Sequence, residues 1–363
     1  MAFRLLCRWC GREYPLDTRY WNCPSCRRPL NLVTECPKCN RFEELVDRGE
    51  AGLWRYKRLI PFSEEHITLG EGCTPLVEIK DEGAILKLEY FSPTGSFKDR
   101  GAAVSVNRAR RIGVKSIVED SSGNAGIAAA AYAARAGIRA RIYVPKDAPV
   151  AKRVLIRSCG ADVVECATRK EASMRAVGEL REEDLYIGHT WDAFYIEGMK
   201  TVAFELFERD RIPEAVVVPV ASGTLFLGLF KGLTELSDMG FIERIPAFYA
   251  VQGEGCAPIY EAIHGQIQGI KRSSLADGLR IENPPRKEEI LNVIRATHGD
   301  ALTVNDDEIV EALKQLYKRG VIAEPTSATA YAAFKKLRGL KDVLIPMTGT
   351  GIKTIDRISS IFT

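Results

Sequence analysis

From about residue 84 onward the chain alternates short runs of β-branched and other apolar residues with Ala-rich stretches of helical length. No other feature constrains the fold as strongly. Runs that are apolar throughout, rather than at every second position, suit strands buried on both faces, and so a parallel sheet covered by helices. The pattern predicts strands at 84–89, 115–119, 140–144, 161–166, 185–189, 215–220, 247–251 and 342–346. The segments between them carry helix punctuation: Asn305 stands at an N-cap with Glu308 three residues on, and Gly320 ends the same helix. The class is α/β, and 363 residues are enough for two such units and a small addition.

The addition is the N-terminus. Six of the ten cysteines fall there as three Cys-x-x-Cys pairs, Cys7/Cys10, Cys23/Cys26 and Cys36/Cys39, among Arg, Pro and Asn with almost no apolar periodicity. Such a segment cannot bury a core, whereas four thiolates in two knuckles bind a structural zinc that supplies the folding energy. The 12 residues between Cys10 and Cys23 suit a ribbon, so Cys7, Cys10, Cys23 and Cys26 are the expected ligands. The third pair is left over: it shares in that site, forms a second partial one, or closes a disulfide. A redox role would need a surrounding βαβ pattern, which the sequence lacks here. Cys73, Cys159, Cys166 and Cys256 are isolated and read as small buried hydrophobes.

Charge and hydropathy exclude other classes. Lys and Arg (51) nearly balance Asp and Glu (48) and are scattered, giving a net charge of +3 and no basic patch for nucleic acid. No apolar run approaches the roughly 20 residues that span a bilayer, and the start lacks a signal-peptide pattern. A cytoplasmic protein is expected.

Four segments carry chemistry. In Ser92-Pro93-Thr94-Gly95-Ser96-Phe97-Lys98-Asp99-Arg100-Gly101, turn-forming residues lead to one lysine at the start of a helix. The helix dipole disfavours an ammonium there, which suits a Schiff-base nucleophile, although most lysines are solvated surface charges. In Val118-Glu119-Asp120-Ser121-Ser122-Gly123-Asn124-Ala125-Gly126 a strand runs into a helix start whose free N–H groups suit a carboxylate. Asn124 could donate to a phenolate oxygen, or serve simply as an N-cap. The strand at 215–220 runs into Ala221-Ser222-Gly223-Thr224-Leu225, where glycine, two hydroxyls and amide donors suit a phosphate. It is not a nucleotide loop, since neither a Walker motif nor Gly-x-Gly-x-x-Gly occurs. Finally, the strand at 342–346 delivers Thr348 to the crevice at the C-terminal ends of the strands.

In this order and spacing these segments resemble the fold type II pyridoxal-phosphate (PLP) enzymes, and within them the threonine synthase family, over essentially the whole chain. Gly70-Glu71-Gly72-Cys73-Thr74-Pro75-Leu76 resembles the family's entry motif, with Cys73 where Asn is usual. Similarity continues through Ile196-Glu197-Gly198-Met199-Lys200-Thr201, Arg280-Ile281-Glu282-Asn283-Pro284, Glu324-Pro325-Thr326-Ser327-Ala328 and 348–353. Archaeal members also carry an N-terminal ribbon. The resemblance implies that Lys98 joins the cofactor and shuttles protons, Asn124 bonds the ring oxygen, and Ser121, Ser122, Gly123 and Asn124 receive the substrate carboxylate. It places the cofactor phosphate on 221–225 and Thr348 at the pyridine nitrogen, where a hydroxyl does not enforce a protonated ring. The implied reaction converts O-phosphohomoserine and water to threonine and phosphate, with Lys152 on the substrate phosphate. Asp192 and Tyr195 stand where the family offers that phosphate an Asn and an Arg, and Ala221 where Gly is common. Those departures leave open a PLP enzyme that performs β-replacement or dehydration on O-phosphoserine, serine or threonine. A zinc-ribbon binding module is the reading from another class. The expected architecture is a ribbon of 1–45, a large domain of 46–97 with 198–363, and a small one of 98–197 that closes over the substrate, in a homodimer.

Overall fold

The computed structural model describes residues 2–266 and 272–362. The chain begins with three short strands, β1 (Ala2–Leu6), β2 (Glu13–Tyr14) and β3 (Asn31–Glu35). An edge hairpin follows, β4 (Leu76–Ile79) and β5 (Ala84–Lys87), and then the first helix, α1 (Lys98–Arg111). Strands and helices now alternate: β6 (Ser116–Glu119), α2 (Asn124–Ala136), β7 (Arg139–Pro145), α3 (Val150–Ser158), β8 (Asp162–Cys166), α4 (Arg169–Gly178) and β9 (Asp184–Tyr186). The second half continues with α5 (Ala193–Phe207), β10 (Ala215–Pro219), α6 (Thr224–Asp238), β11 (Ala247–Gly253), α7 (Pro258–His264) and α8 (Lys287–Ala296). It ends with β12 (Asp300–Val304), α9 (Asp306–Lys318), α10 (Pro325–Phe334), β13 (Val343–Pro346) and α11 (Ile355–Phe362).

Two helix-covered sheets result, as the apolar runs require. One has the order β8-β7-β6-β9 and is parallel throughout. The other has the order β12-β11-β10-β13-β5-β4 and is parallel except for β4, which runs antiparallel to β5. Every residue of β6 and β13 is buried, and each fully covered Val, Ile or Leu contributes about 1.5–3 kcal/mol of transfer free energy. All eight expected strands form, with ends that differ from the expected ones by one to three residues. The run at 185–189 shortens to Asp184–Tyr186 because the chain turns at Gly188 and sends His189 back onto Glu119. Within these two sheets the described residues form two strands beyond those expected, β4 and β12, both at sheet edges, and the N-terminal β1, β2 and β3 are likewise additional. The half-exposed patterns of β4 and β12 never make a continuous apolar run. The capping box of Asn305 and Glu308 opens α9 as its sequence implies.

Helix α5 links the sheets. It is buried from Ala193 to Leu206 and lies against both α1 and α6. A Cβ on Gly198 would stand 2.0 Å from the Arg100 carbonyl oxygen, so glycine permits the close crossing with α1. Beside it a buried charge cluster joins Arg100 to Glu89 and Glu205, and Lys87 to Glu205.

The N-terminal sheet, in the order β2-β1-β3, lies across both larger sheets. Trp21 meets Tyr186 and Trp191 edge-on at 5.6 and 5.0 Å, and Arg108 donates to the Thr18 carbonyl at 2.6 Å. On the other side Arg286 donates to the Leu30 carbonyl at 2.9 Å, and Lys231 to that of Leu32 at 2.7 Å.

Candidate active site

Lys98 is the first residue of α1, and the turn before it is stitched to the end of β13. Phe97 N–H donates to the Thr348 carbonyl at 2.9 Å, Thr350 N–H to that of Gly95 at 3.0 Å, and Ser96 bridges Gly349. The lysine turn therefore lies at the C-terminal ends of the large sheet's strands. The ammonium approaches two aromatic faces, Phe97 at 4.7 Å and Tyr195 at 5.8 Å. Burial pulls its pKa down to about 8, against the raising effect of Glu119 and Glu324.

Asn124 opens α2, its side chain held between two charged groups. Nδ2 donates to the Glu324 carboxylate at 3.0 and 3.3 Å, and Oδ1 accepts from Lys353 Nζ at 2.8 Å. Lys353 also donates to the Thr94 carbonyl at 2.7 Å. Thr348 is buried with its hydroxyl 2.9 Å from Ser327 Oγ, and it donates to Glu324 at 3.4 Å. Gly349 is needed here, since a Cβ would fall 2.4 Å from the Glu324 carboxylate. Lys98, Asn124 and Thr348 thus share one neighbourhood. Glu324, Ser327 and Lys353 belong to it as well and were not among the expected site residues. Their sequence signal was position, because Lys353 follows the Thr348 tail and Glu324 opens α10 just before Pro325.

The loop 221–225 leaves β10, the neighbour of β13 in the sheet, at the same edge. Gly223 adopts φ 81° as the N-cap of α6, which frees the first amides of that helix. The Thr224 hydroxyl is buried with no hydrogen-bond partner among the described residues. An orphaned buried donor beside unpaired helix-start amides fits the phosphate of a bound PLP. On α2, a Cβ on Gly126 would strike the Ser121 carbonyl oxygen at 1.9 Å, so the loop 121–123 folds tightly onto its helix. There Gly123 N–H donates to Ser121 Oγ at 3.2 Å.

Lys152 is buried in α3 and makes no ion pair or side-chain hydrogen bond among the described residues. Its charge reaches Lys353, whose ammonium is pulled down by burial first and by Lys152 in addition. The polar atoms of Asp192 and Tyr195 already have protein partners. Asp192 caps α5, accepting from Phe194 N–H at 3.1 Å, and accepts from Ser105 Oγ at 2.6 Å and Arg108 at 3.3 Å. Tyr195 donates to the Lys98 carbonyl at 2.8 Å and fills the space that Gly101 leaves open.

One cluster near Lys98 has no counterpart among the sequence expectations. Glu119 closes β6, and burial pushes its carboxyl up to about 8 even though Lys98 opposes the shift. His189 is pulled down to about 3, by burial and then by the Lys98 charge. The signal for Glu119 was a charged residue ending a short buried strand after Ile117 and Val118.

In the ribbon, Sγ of Cys7, Cys10, Cys23 and Cys26 all lie within 4.8 Å of one another. The Cys7–Cys26 and Cys10–Cys23 separations of 3.4 and 3.6 Å approach the edge of about 3.8 Å implied by tetrahedral Zn–S bonds of about 2.3 Å. The two knuckles fold alike, with Gly11 N–H on the Cys7 carbonyl and Arg27 N–H on that of Cys23. Burial raises the Cys23 thiol, but hydrogen bonds led by Tyr14 bring it down to about 6, which suits a ligand thiolate. These four residues can hold zinc. Cys36 and Cys39 stand outside the cluster: Cys36 faces the Glu235 carbonyl at 3.9 Å and Cys39 packs on the apolar core.

Comparison with known proteins agrees with this geometry. The family model for pyridoxal-phosphate dependent enzymes matches residues 67–349. The chain is 32% identical to a threonine synthase of Methanocaldococcus jannaschii over 96% of its own length and 93% of the relative's. It is 30% identical to a threonine synthase of Methanosarcina acetivorans, over 92% and 87% of the two lengths. Among solved structures, maize serine racemase superposes with a TM-score of 0.67 at 25% identity, covering 80% of this chain and 91% of that one. The chain therefore belongs to the fold type II pyridoxal-phosphate-dependent enzymes and, within them, to the threonine synthase family.

Proposed function

We propose that the protein is a PLP-dependent carbon–oxygen lyase that converts O-phosphohomoserine and water to threonine and phosphate. The observation that carries this reading is the meeting, at the C-terminal ends of the large sheet's strands, of a lysine with a depressed pKa and an orphaned hydroxyl in a helix-start loop, with Lys152, a buried lysine that has no ion pair among the described residues, acting on Lys353 beside them. PLP, when bound, supplies an electron sink for charge developing at Cα of an amino acid. Lys98, near neutrality at about pH 8, is the group that takes and returns the Cα proton. Ala221, Ser222, Gly223, Thr224 and Leu225 hold the cofactor phosphate through amides and hydroxyls. Thr348 offers a hydroxyl to the ring nitrogen, and Asn124 orients the ring through its second Nδ2 proton. Ser121, Ser122, Gly123 and Asn124 receive the substrate carboxylate.

Lys152 faces the departing phosphate, and Lys353 adds a second positive charge beside it. Two cations held close together out of water are relieved by an anion. Residues 98–197, which contain the whole four-stranded sheet, form a small domain that closes on the large one and excludes water until it is required at Cβ. The near-neutral charge supports a small amino-acid substrate rather than nucleic acid. We expect a cytoplasmic homodimer, and no helix among the described residues is long and apolar enough to cross a membrane.

A second reading follows from Asp192 and Tyr195. Because their polar atoms are spent on Arg108, Ser105 and the Lys98 backbone, the substrate-phosphate site lacks a bidentate arginine from this segment. That favours β-replacement or dehydration on O-phosphoserine, serine or threonine. Incubating the PLP-loaded protein separately with O-phosphohomoserine and O-phosphoserine, and measuring phosphate and threonine, decides between them. Threonine formed from O-phosphohomoserine supports the first reading, and turnover of O-phosphoserine alone overturns it.

A further inference from the structure

The near balance of charge over the whole chain hides a local surplus. Residues 1–30 hold six arginines against Glu13 and Asp17, an excess of four where the complete chain has a net charge of only +3. No part of the proposed reaction uses them. The two cysteine knuckles place these cations by one rule. Cys7 N–H donates to the Arg12 carbonyl at 2.9 Å and Cys23 N–H to that of Arg28 at 2.8 Å, so Arg12 and Arg28 occupy equivalent places. Each side chain then reaches across to the other knuckle: Arg12 donates to the Ser25 hydroxyl, and the Arg28 guanidinium lies over the Trp9 ring at 4.5 Å. Arg8, Trp9, Arg12, Arg27 and Arg28 are all exposed, Trp9 by 49%. The outer face of the ribbon therefore carries four guanidiniums around an indole.

Among the described residues none of the four has a carboxylate partner. Glu13 is taken by Arg4 at 2.7 Å, and Asp17 adjoins Thr18, whose carbonyl Arg108 holds on the enzyme side. Docking onto the two larger sheets falls to other side chains of the ribbon: Arg19 donates to the Glu182 carbonyl, and Trp21 packs on Tyr186 and Trp191. The knuckle face is thus left to solvent. Four like charges on one small face repel, and a polyanion relieves that repulsion. Arg28 covers part of the indole, and what stays exposed is a flat surface on which a base can stack, a contact that a lipid headgroup or an acidic peptide does not use.

We propose that this face of the ribbon binds single-stranded nucleic acid, with Arg8, Arg12, Arg27 and Arg28 on its phosphates and Trp9 stacked on a base. A single strand fits because the indole needs an unstacked base. A duplex does not, since residues 2–35 form strands and turns but no helix to enter a major groove. The inference is independent of the reading of Lys98, because none of these side chains approaches the cleft.

The test is fluorescence anisotropy of short labelled oligo-U, oligo-dT and duplex DNA, titrated with the full chain loaded with PLP and zinc. Wild type should bind a single strand with Kd below about 100 μM near 50 mM salt, and the affinity should fall with salt at a log–log slope of about −3, roughly −0.7 per phosphate contacted. Tighter binding of oligo-U identifies RNA as the source of the strand, and tighter binding of oligo-dT identifies DNA. The double variant Arg8→Gln/Arg27→Gln, whose side chains bond nothing else among the described residues, should fold as wild type, bind at least about tenfold more weakly and halve the slope. Trp9→Ala should weaken binding at least about fivefold with the slope unchanged, which a purely electrostatic surface would not do. Zinc content measured in each variant checks that the ribbon is intact. The proposal is overturned if the duplex binds as tightly as the single strand, if both variants bind as wild type, or if vesicles containing anionic lipid are bound and neither oligonucleotide is.

Discussion

Replacing Thr224 by valine separates the two states of the site, because the structure gives opposite signs for them. Thr224 is 1% exposed and its hydroxyl has no partner among the described residues. An unsatisfied buried hydroxyl costs about 1–3 kcal/mol, and valine has the same shape without that group. The cofactor-free variant should accordingly melt no lower than wild type, and a gain of about 1 kcal/mol is expected. With the cofactor present the hydroxyl would donate to a phosphate oxygen, a charge-assisted bond worth about 1.5–3 kcal/mol. PLP should therefore dissociate roughly 10- to 150-fold more readily, at 1.4 kcal/mol per decade. The assay is thermal unfolding with and without PLP, combined with cofactor affinity from visible absorption across a dialysis membrane. A variant that loses stability without cofactor and retains PLP as tightly as wild type would refute the assignment of 221–225 to the phosphate.

Three further outcomes follow. Lys98→Met should stabilise the cofactor-free protein at pH 7: a lysine at about 8 when folded and near 10.5 when unfolded carries its full burial penalty below pH 8 and loses it as pH rises to 10.5, so the gain, roughly 3 kcal/mol, should fade over that window in denaturant titrations. A gain independent of pH would contradict the depressed pKa. Lys152→Met removes a buried cation without an anion, so it should leave folding intact while raising KM for O-phosphohomoserine at least about tenfold, by loss of a charged hydrogen bond; equal effects on an unphosphorylated amino acid would argue against a phosphate contact. Stripping zinc with a chelator, or Cys23→Ser, should open 1–45 to protease and shift the fluorescence of Trp21 and Trp191, and unchanged digestion would refute a structural metal.

Much of this was legible in the chain because the strongest signals are local. Apolar runs became buried strands, the paired cysteines with ribbon spacing met in space, and Lys98, Asn124 and Thr348 came into one neighbourhood between the sheets. What escaped depends on tertiary contact. Strands β4 and β12 are edges whose exposed residues break the pattern. Glu324 and Lys353 matter because they meet Asn124, 200 and 229 residues away in sequence, and no spacing reveals that. Asp192 stands where a substrate contact was expected, yet Ser105 and Arg108, on the facing helix, claim its carboxylate.

The ribbon's placement has a mechanical corollary. Thr18 and Trp21 grip the four-stranded side while Leu30 and Leu32 grip the six-stranded side, and Arg286 clasps the Trp191 carbonyl as well, at 2.8 Å. Cys23 and Cys26 lie in the short stretch of chain between those two handholds. An ion cross-linking that stretch would fix the length of the tether between the sheets. The thiolates would then brace the two sheets against each other as well as hold the ribbon itself.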